Sequence, residues 1–382
     1  MRLEKVVSNF NIKIGIYFLI AVTAVYTLVF TYYYNFKDDG YILGDWLINY
    51  QDGGFKRRGL SGSFFFLLQD LTGLRLNYLV YFVQFLIISG FFWLYTKLIR
   101  YKVTDLLYFS LLLSSIGFVG LLNTVTYVGK KEFIVFLLFT WFTYLLDNDK
   151  LSKNKEYFFC IALFITTFLH EVVLFYVSYF AIALYLKTGK FEFKRYVKYF
   201  LSVGIPTILI LAFGKNINEG RSLQILCERG VHPTYGIFYW NINERDYIRQ
   251  HSSEYILYFL SLAISIFHIG YYLKFLNNRK ILSILLIGAF LFSFPLFYLA
   301  IDWGRWMYIH MMLIIVLFAL LLRKEHSIYA FEPIVMNRKF YITLFIIIFS
   351  LLYRVEMSGK GFTFEGIIYR VFVAPLELLN KM

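Results

Sequence analysis

The sequence predicts an all-α, polytopic integral membrane protein of about eleven spans, with short re-entrant or interfacial helices between them. Three observations carry that prediction. Apolar residues make up 59% of the chain and charged residues 16%, against about 25% charged in a soluble domain. The apolar residues gather in runs near the roughly 20 residues that a helix needs to cross the hydrocarbon core. Those runs, 281–300 among them, do not alternate apolar with polar as membrane-barrel strands do. Backbone groups in lipid must be satisfied within the segment, which leaves helices.

The first run, 13–34, is too long for a signal-peptide core and has no convincing cleavage site, so it reads as a retained span. Spans at 76–99, 105–122 and 132–147 follow. The run 157–186 lies between two basic loops, Lys150, Lys153 and Lys155 before it and Lys187, Lys190, Lys194, Arg195 and Lys198 after it. Short basic loops stay cytoplasmic, so the chain must cross an even number of times between them. The run is therefore predicted as two short helices meeting at His170-Glu171. Spans at 196–213, 254–276, 281–300, 306–322 and 340–353 complete the series. Charge then assigns Arg2, Lys5, Lys97, Arg100, Lys102, Arg279, Lys280, Arg323 and Lys324 to the cytoplasmic side. The loops 35–75, 123–131, 214–253 and 301–305, and the 170–171 turn, are expected outside. The chain 1–382 reads as one transmembrane domain whose large outer-face loops are 35–75 and 214–253. Within the first loop, 63–68 is apolar but too short to span, and is expected as a re-entrant or interfacial helix. The tail 364–379, with Glu365, Arg370 and Glu377, is expected to be interfacial.

The net charge of +14 would suggest nucleic acid in a soluble protein. Here the cations sit in short loops beside spans, so no nucleic-acid partner is expected. Cys160 lies in an apolar run and Cys227 in a polar loop, which argues against a disulfide. There is no Walker A sequence, Rossmann glycine pattern, cysteine–histidine cluster or serine-nucleophile elbow. No metal and no cofactor are expected, and the substrate must carry its own activation.

Polar chemistry gathers in the outer loops. The first reads GDWLINYQDGGFKRRGLSG over 44–62. Lys56, Arg57 and Arg58 there run against the positive-inside pattern, beside Asp45, Asp52 and the flexible pair Gly53-Gly54. Paired arginines near glycines suit bidentate phosphate recognition; the plainer reading is a solvated loop or lipid-headgroup contacts. His170-Glu171 is an ionisable pair within an apolar run, where such residues are costly and usually functional. A glutamate beside a histidine can take a proton from a hydroxyl; the plainer reading is a wet, hydrogen-bonded helix break. It is not the zinc motif HExxH, because Leu174 stands where the second histidine belongs. Asp302-Trp303-Gly304-Arg305-Trp306 opens a late span. It suits phosphate and sugar binding as well as it suits a helix cap flanked by interfacial tryptophans. The loop 214–253 mixes Arg221, Glu228, Arg229, His232, Glu244, Arg245 and Asp246 with Tyr235, Phe238, Tyr239 and Trp240, as a saccharide-binding surface would. Lys130-Lys131 is a weaker candidate of the same kind.

These motifs, DGGFxRRGL after the first span, FLHE within a later run and DxGRW opening a late span, resemble those of bacterial repeat-unit polymerases of the O-antigen and capsule type. The resemblance is scattered over most of the chain. It implies a GT-C-like membrane fold and an undecaprenyl-pyrophosphate-linked oligosaccharide substrate. It also implies a place in the bacterial inner membrane with the active site facing the periplasm. Arg57, Arg58 and Arg305 match the family's pyrophosphate-holding arginines. A separate C-terminal soluble domain, found in other GT-C enzymes, is not expected here. Membrane lipid and a chain-length regulator and flippase of the same pathway are the further expected partners.

The residues themselves agree with glycosyl transfer. Glu171 with His170 is the first choice of base and Asp302 the reserve. Arg57, Arg58, Arg305, Arg221 and Arg229, with Asp45 and Asp52, are the candidate contacts to substrate and pyrophosphate. A second reading is a GT-C glycosyltransferase using a polyprenyl-monophosphate sugar, with Asp45 as base. A transporter or flippase for lipid-linked glycans ranks third, because the charges sit at one face and no repeated halves are visible.

Overall fold

Each of the ten apolar runs forms helix, the run 157–186 as a broken pair, but the helices differ in length. The computed structural model describes residues 12–37, 40–51, 54–217, 221–239, 242–328 and 330–374. Arg2, Lys5, Asp52, Trp240 and positions 375–379 of the expected interfacial tail lie outside the described residues. In chain order the helices are α1 (Ile12–Phe36), α2 (Leu43–Trp46), α3 (Gly59–Thr72), α4 (Leu76–Ile99), α5 (Leu106–Leu112) and α6 (Phe118–Asn123). Then come α7 (Glu132–Asp147), α8 (Lys153–Leu169), α9 (Val173–Tyr176), α10 (Ser178–Thr188), α11 (Phe193–Phe213) and α12 (Ser222–Glu228). The last are α13 (Glu244–Gln250), α14 (Ser252–Leu273), α15 (Arg279–Leu299), α16 (Trp303–Leu321) and α17 (Arg338–Leu352). Among the described residues there is no β-strand.

Six of these helices, α1, α4, α11, α14, α15 and α16, are long and apolar enough to cross a membrane. The architecture is therefore all-helical and compatible with a multi-pass membrane protein. The remaining predicted spans are shorter or broken. The run 105–122 divides at Ser114–Gly117, where the backbone folds back so tightly that a Cβ on Gly117 would lie 2.8 Å from the Leu111 carbonyl oxygen. The Ser115 hydroxyl at this break donates to the Ser350 and Tyr353 carbonyls, supplying polar contact where the helical ladder stops. The apolar stretch 63–68 lies in the 14-residue α3, short of a span, as expected.

By its contacts the chain divides into two compact units. One comprises Met1–Tyr26, Tyr95–Tyr127 and Asn243–Met382, the other Thr27–Leu94 and Val128–Ile242. The first unit is built round α16, 94% of whose apolar window is buried, against 28–44% for the other long helices. A helix apolar on every side belongs inside a bundle. Tyr308 stacks on Tyr127 at 4.6 Å and Phe318 on Tyr272 at 4.6 Å. The returning segment 353–366 packs on α14 and α16, where Gly304 and Gly361 leave no room for a side chain.

The second unit is organised by a hairpin. α8 and α10 run antiparallel: Lys187 at the end of α10 meets Asp149, just ahead of α8, at 2.9 Å. Arg195 at the start of α11 holds Glu156 in the first turn of α8 at 2.6 Å. The basic loops on both sides of the run 157–186 therefore share one end of the unit, and His170-Glu171 turns at the other. Phe139, Phe142, Phe159, Phe180 and Tyr199 fill the space between α7, α8, α10 and α11 with edge-on and tilted ring pairs.

Candidate functional site

Three stretches far apart in sequence meet at the turn end of the second unit. The first is the loop that carries Asp45 in α2 and Arg57 and Arg58 ahead of α3. Its path is set by small residues. Gly62 donates its N–H to the Ile48 carbonyl at 2.9 Å, and a Cβ there would stand 2.4 Å from the Leu47 and Ile48 carbonyl oxygens. Ser63 accepts from the Tyr50 N–H at 2.9 Å. The chain is thereby pressed onto the first turns of α3, and Arg58 caps that helix in the left-handed region with φ +63°. That conformation costs an L-residue roughly 1–2 kcal/mol. Such strain persists where the surroundings hold it, often at functional sites.

The second stretch is Lys130-Lys131-Glu132 at the start of α7. Its backbone is anchored by Gly129, whose carbonyl accepts from Trp46 Nε1 and Gln84 Nε2, both at 2.8 Å. The third is the His170-Glu171 turn.

The side chains converge on Arg58. Its Nε donates to Glu171 Oε2 at 3.0 Å and its Nη2 to Oε1 at 2.9 Å, a two-pronged clamp. Its Nη1 reaches Asp45 Oδ1 at 3.4 Å. Behind Glu171, His170 is buried and its Nε2 is hydrogen-bonded to Glu132 Oε1 at 3.0 Å. Lys131, also buried, donates to Ser61 Oγ at 3.0 Å. Lys130 lies over the Tyr41 ring at 3.9 Å. Arg57, half exposed, forms the outer lip, with its Nη1 3.7 Å from Glu171 Oε1. Four cations thus stand against three carboxylates in a space from which water is largely excluded.

The electrostatics follow from this crowding. Burial pushes the Glu171 carboxyl up, but the Arg58 guanidinium outweighs it and, with His170, holds the group well below the usual carboxylate range. Asp45 is held low in the same way, burial being outweighed by Lys131, Arg58 and Lys130. Its second oxygen, Oδ2, is buried without a hydrogen-bond partner among the described residues. Burial pushes the Lys131 ammonium down to about 8; Arg58 adds to this while Asp45, Glu171 and Glu132 oppose it.

Of the residues singled out in the sequence, Asp45, Arg57, Arg58, His170 and Glu171 are brought together here. Arg229 is engaged elsewhere in the same unit: it grips Asp70 at the end of α3 through both carboxylate oxygens, at 2.8 and 3.1 Å, and lies over Phe66. That is a packing role for the loop ahead of it. Arg221 is exposed beside α12. Asp302 and Arg305 belong to the other unit. There Arg305 is buried, donates to Asp302 Oδ2 at 3.0 Å and lies against the Trp306 ring.

Glu132 and Ser61 did not stand out in the sequence, and Lys130-Lys131 ranked low. The signal that could have found them is the one that marked Arg57 and Arg58: a cationic run on the side expected to be poor in cations, beside glycine. Among the described residues no three of His, Cys, Asp and Glu are grouped to hold a metal ion. Comparison with family models, with curated proteins and with solved structures gives no match, so the site is read from its own geometry.

Proposed function

We propose that this protein is a membrane glycosyltransferase that joins undecaprenyl-pyrophosphate-linked oligosaccharide repeat units, in a GT-C-like arrangement at the periplasmic face of a bacterial inner membrane. The observation that carries the reading is the gathering of Arg57, Arg58, Lys130 and Lys131 round two carboxylates, with Arg58 clamped in a costly backbone conformation. A guanidinium fork so held matches two oxygens of a phosphate as well as it matches Glu171. In the reaction an acceptor-sugar hydroxyl attacks the anomeric carbon of the lipid-linked sugar. The bond from that carbon to the pyrophosphate oxygen breaks, and the polyprenyl pyrophosphate leaves as an anion held by the arginines and lysines. The hydroxyl proton goes to a carboxylate.

The clamp on Glu171 gives this last step an order. While Arg58 holds it, Glu171 is too weak a base to serve. When the pyrophosphate takes over the Arg58 fork, Glu171 is left without its guanidinium partner, and its proton affinity rises. Substrate binding thus switches on the base. The test is calorimetric binding of inorganic pyrophosphate to the full-length protein near pH 6, in buffers of different ionisation enthalpy. Wild-type protein should take up as much as about one proton more per site than the Glu171→Gln variant. Binding with equal proton counts in both would remove Glu171 as the base. Absence of pyrophosphate binding would remove the phosphate site itself.

A second reading keeps the cations and moves the base to Asp45, with a polyprenyl-monophosphate sugar as donor. The partnerless Oδ2 of Asp45 favours it. Loss of turnover in Asp45→Asn together with near-normal turnover in Glu171→Gln would select this reading.

A further inference from the structure

The first unit holds a groove that the reading above does not use. It lies between the end of α14 and the start of α15, with a volume of about 500 Å³. Lys274, Arg279, Lys280 and Ser283 line it, with Gly270 and Ile284 among its apolar walls. The three cations are exposed, and among the described residues none forms an ion pair.

Three other cations of this unit are satisfied by partners within it. Lys13 donates to the Arg100 and Lys102 carbonyls at 2.9 and 2.6 Å. Lys102 donates to the Leu322 carbonyl at 3.2 Å, just past the end of α16. Lys339 pairs with Asp105 at 2.8 Å. Three like charges round one groove repel one another unless an anion sits between them. The groove is also open where a side chain would close it, since a Cβ on Gly270 would meet nothing within 4 Å. The Ser283 hydroxyl donates to the Arg279 carbonyl at 2.7 Å, which leaves its oxygen free to accept. Leading away along the same two helices are the exposed apolar side chains Ile266, Phe267, Ile284 and Ile287.

We infer that this groove binds the phosphodiester headgroup of an anionic phospholipid, with Lys274, Arg279 and Lys280 round the phosphate and the acyl chains along the exposed faces of α14 and α15. The apolar faces decide for a lipid over a free phosphate. A soluble anion would gain the charges and leave those side chains unused, whereas a lipid engages both.

Native mass spectrometry tests this on the full-length protein released from nanodiscs of equal phosphatidylglycerol and phosphatidylcholine. Wild-type protein should retain phosphatidylglycerol in preference to phosphatidylcholine. Lys274→Gln, Arg279→Gln and Lys280→Gln should each weaken that preference about fivefold. Gly270→Leu keeps every charge and fills the groove, and should weaken it as well. Lys153→Gln with Lys194→Gln removes two exposed cations elsewhere and should leave it unchanged. Equal retention of the two lipids by the wild type would overturn the inference. So would full preference in the Lys274→Gln/Arg279→Gln/Lys280→Gln variant, or displacement of the lipid by soluble glycerol 3-phosphate.

Discussion

Two glutamates at opposite ends of the hairpin in the second unit are each held by an arginine, yet the two settings differ in kind. Glu156 receives Arg195, Lys198 and Tyr199, all from the first turns of α11. Cations outnumber the carboxylate, and the donors come from one helix. Glu171 receives Arg58 from a loop 113 positions away in sequence. It shares that arginine with Asp45, is backed by His170 and Glu132, and depends on a left-handed arginine. The first arrangement pins two helices together and is complete as it stands. The second leaves an oxygen of Asp45 unused and divides one guanidinium between two acids, which is how a group waiting for a further anion would be kept.

The comparison is open to breaking. The largest effect is expected for Glu171→Gln, which should lower polymer formation from purified lipid-linked repeat units by about 10²–10⁴-fold. Glu156→Gln should leave that rate near normal. Equal losses in both would erase the distinction. Next is Arg58→Lys, which keeps the charge but not the fork. A loss of about 10²–10³-fold is expected, and polymer of normal length made in cells by this variant would show that charge alone suffices.

A smaller effect concerns Lys131, whose pKa is near 8. Its cationic form is the one that attracts an anion, and that form is lost as pH rises through this value. Pyrophosphate affinity should fall about tenfold across that interval in the wild type and stay level in Lys131→Met. A level profile in both would remove Lys131 from the anion site. The smallest effect is on stability. Arg195 and Lys198 are about a quarter exposed, so Glu156→Gln should cost only about 1–2 kcal/mol in chemical denaturation. No change at all would mean that the clasp is ornamental.

Much of the turn-end cluster was legible because membrane topology is written in composition. Two basic loops round an overlong apolar run forced the hairpin, and the hairpin put His170-Glu171 on the side of Arg57 and Arg58. Glu132 was not legible. At the head of an apolar run it looks like any acidic residue in a first helical turn, and only the fold brings it to His170. The place of Arg229 was not legible either: it sits in a loop with the composition of a binding surface, and its partner Asp70 lies at the end of α3, 159 positions away. Helix lengths were also read too generously. Hydropathy marks the run 105–122 as apolar throughout, whereas the break at Ser114–Gly117 depends on close backbone contacts that no periodicity records.

The near-complete enclosure of α16 carries a consequence for biogenesis. Its mean hydropathy of 1.8 equals that of α14, so the insertion machinery would meet it as an ordinary segment and release it to the lipid. Only afterwards would its neighbours close round it, hiding Arg305 and the His310–Ser293 hydrogen bond. A defect in α16 should therefore yield a chain that is threaded through the membrane correctly and still unassembled. Such a chain would be cleared by membrane quality control long after translocation has succeeded.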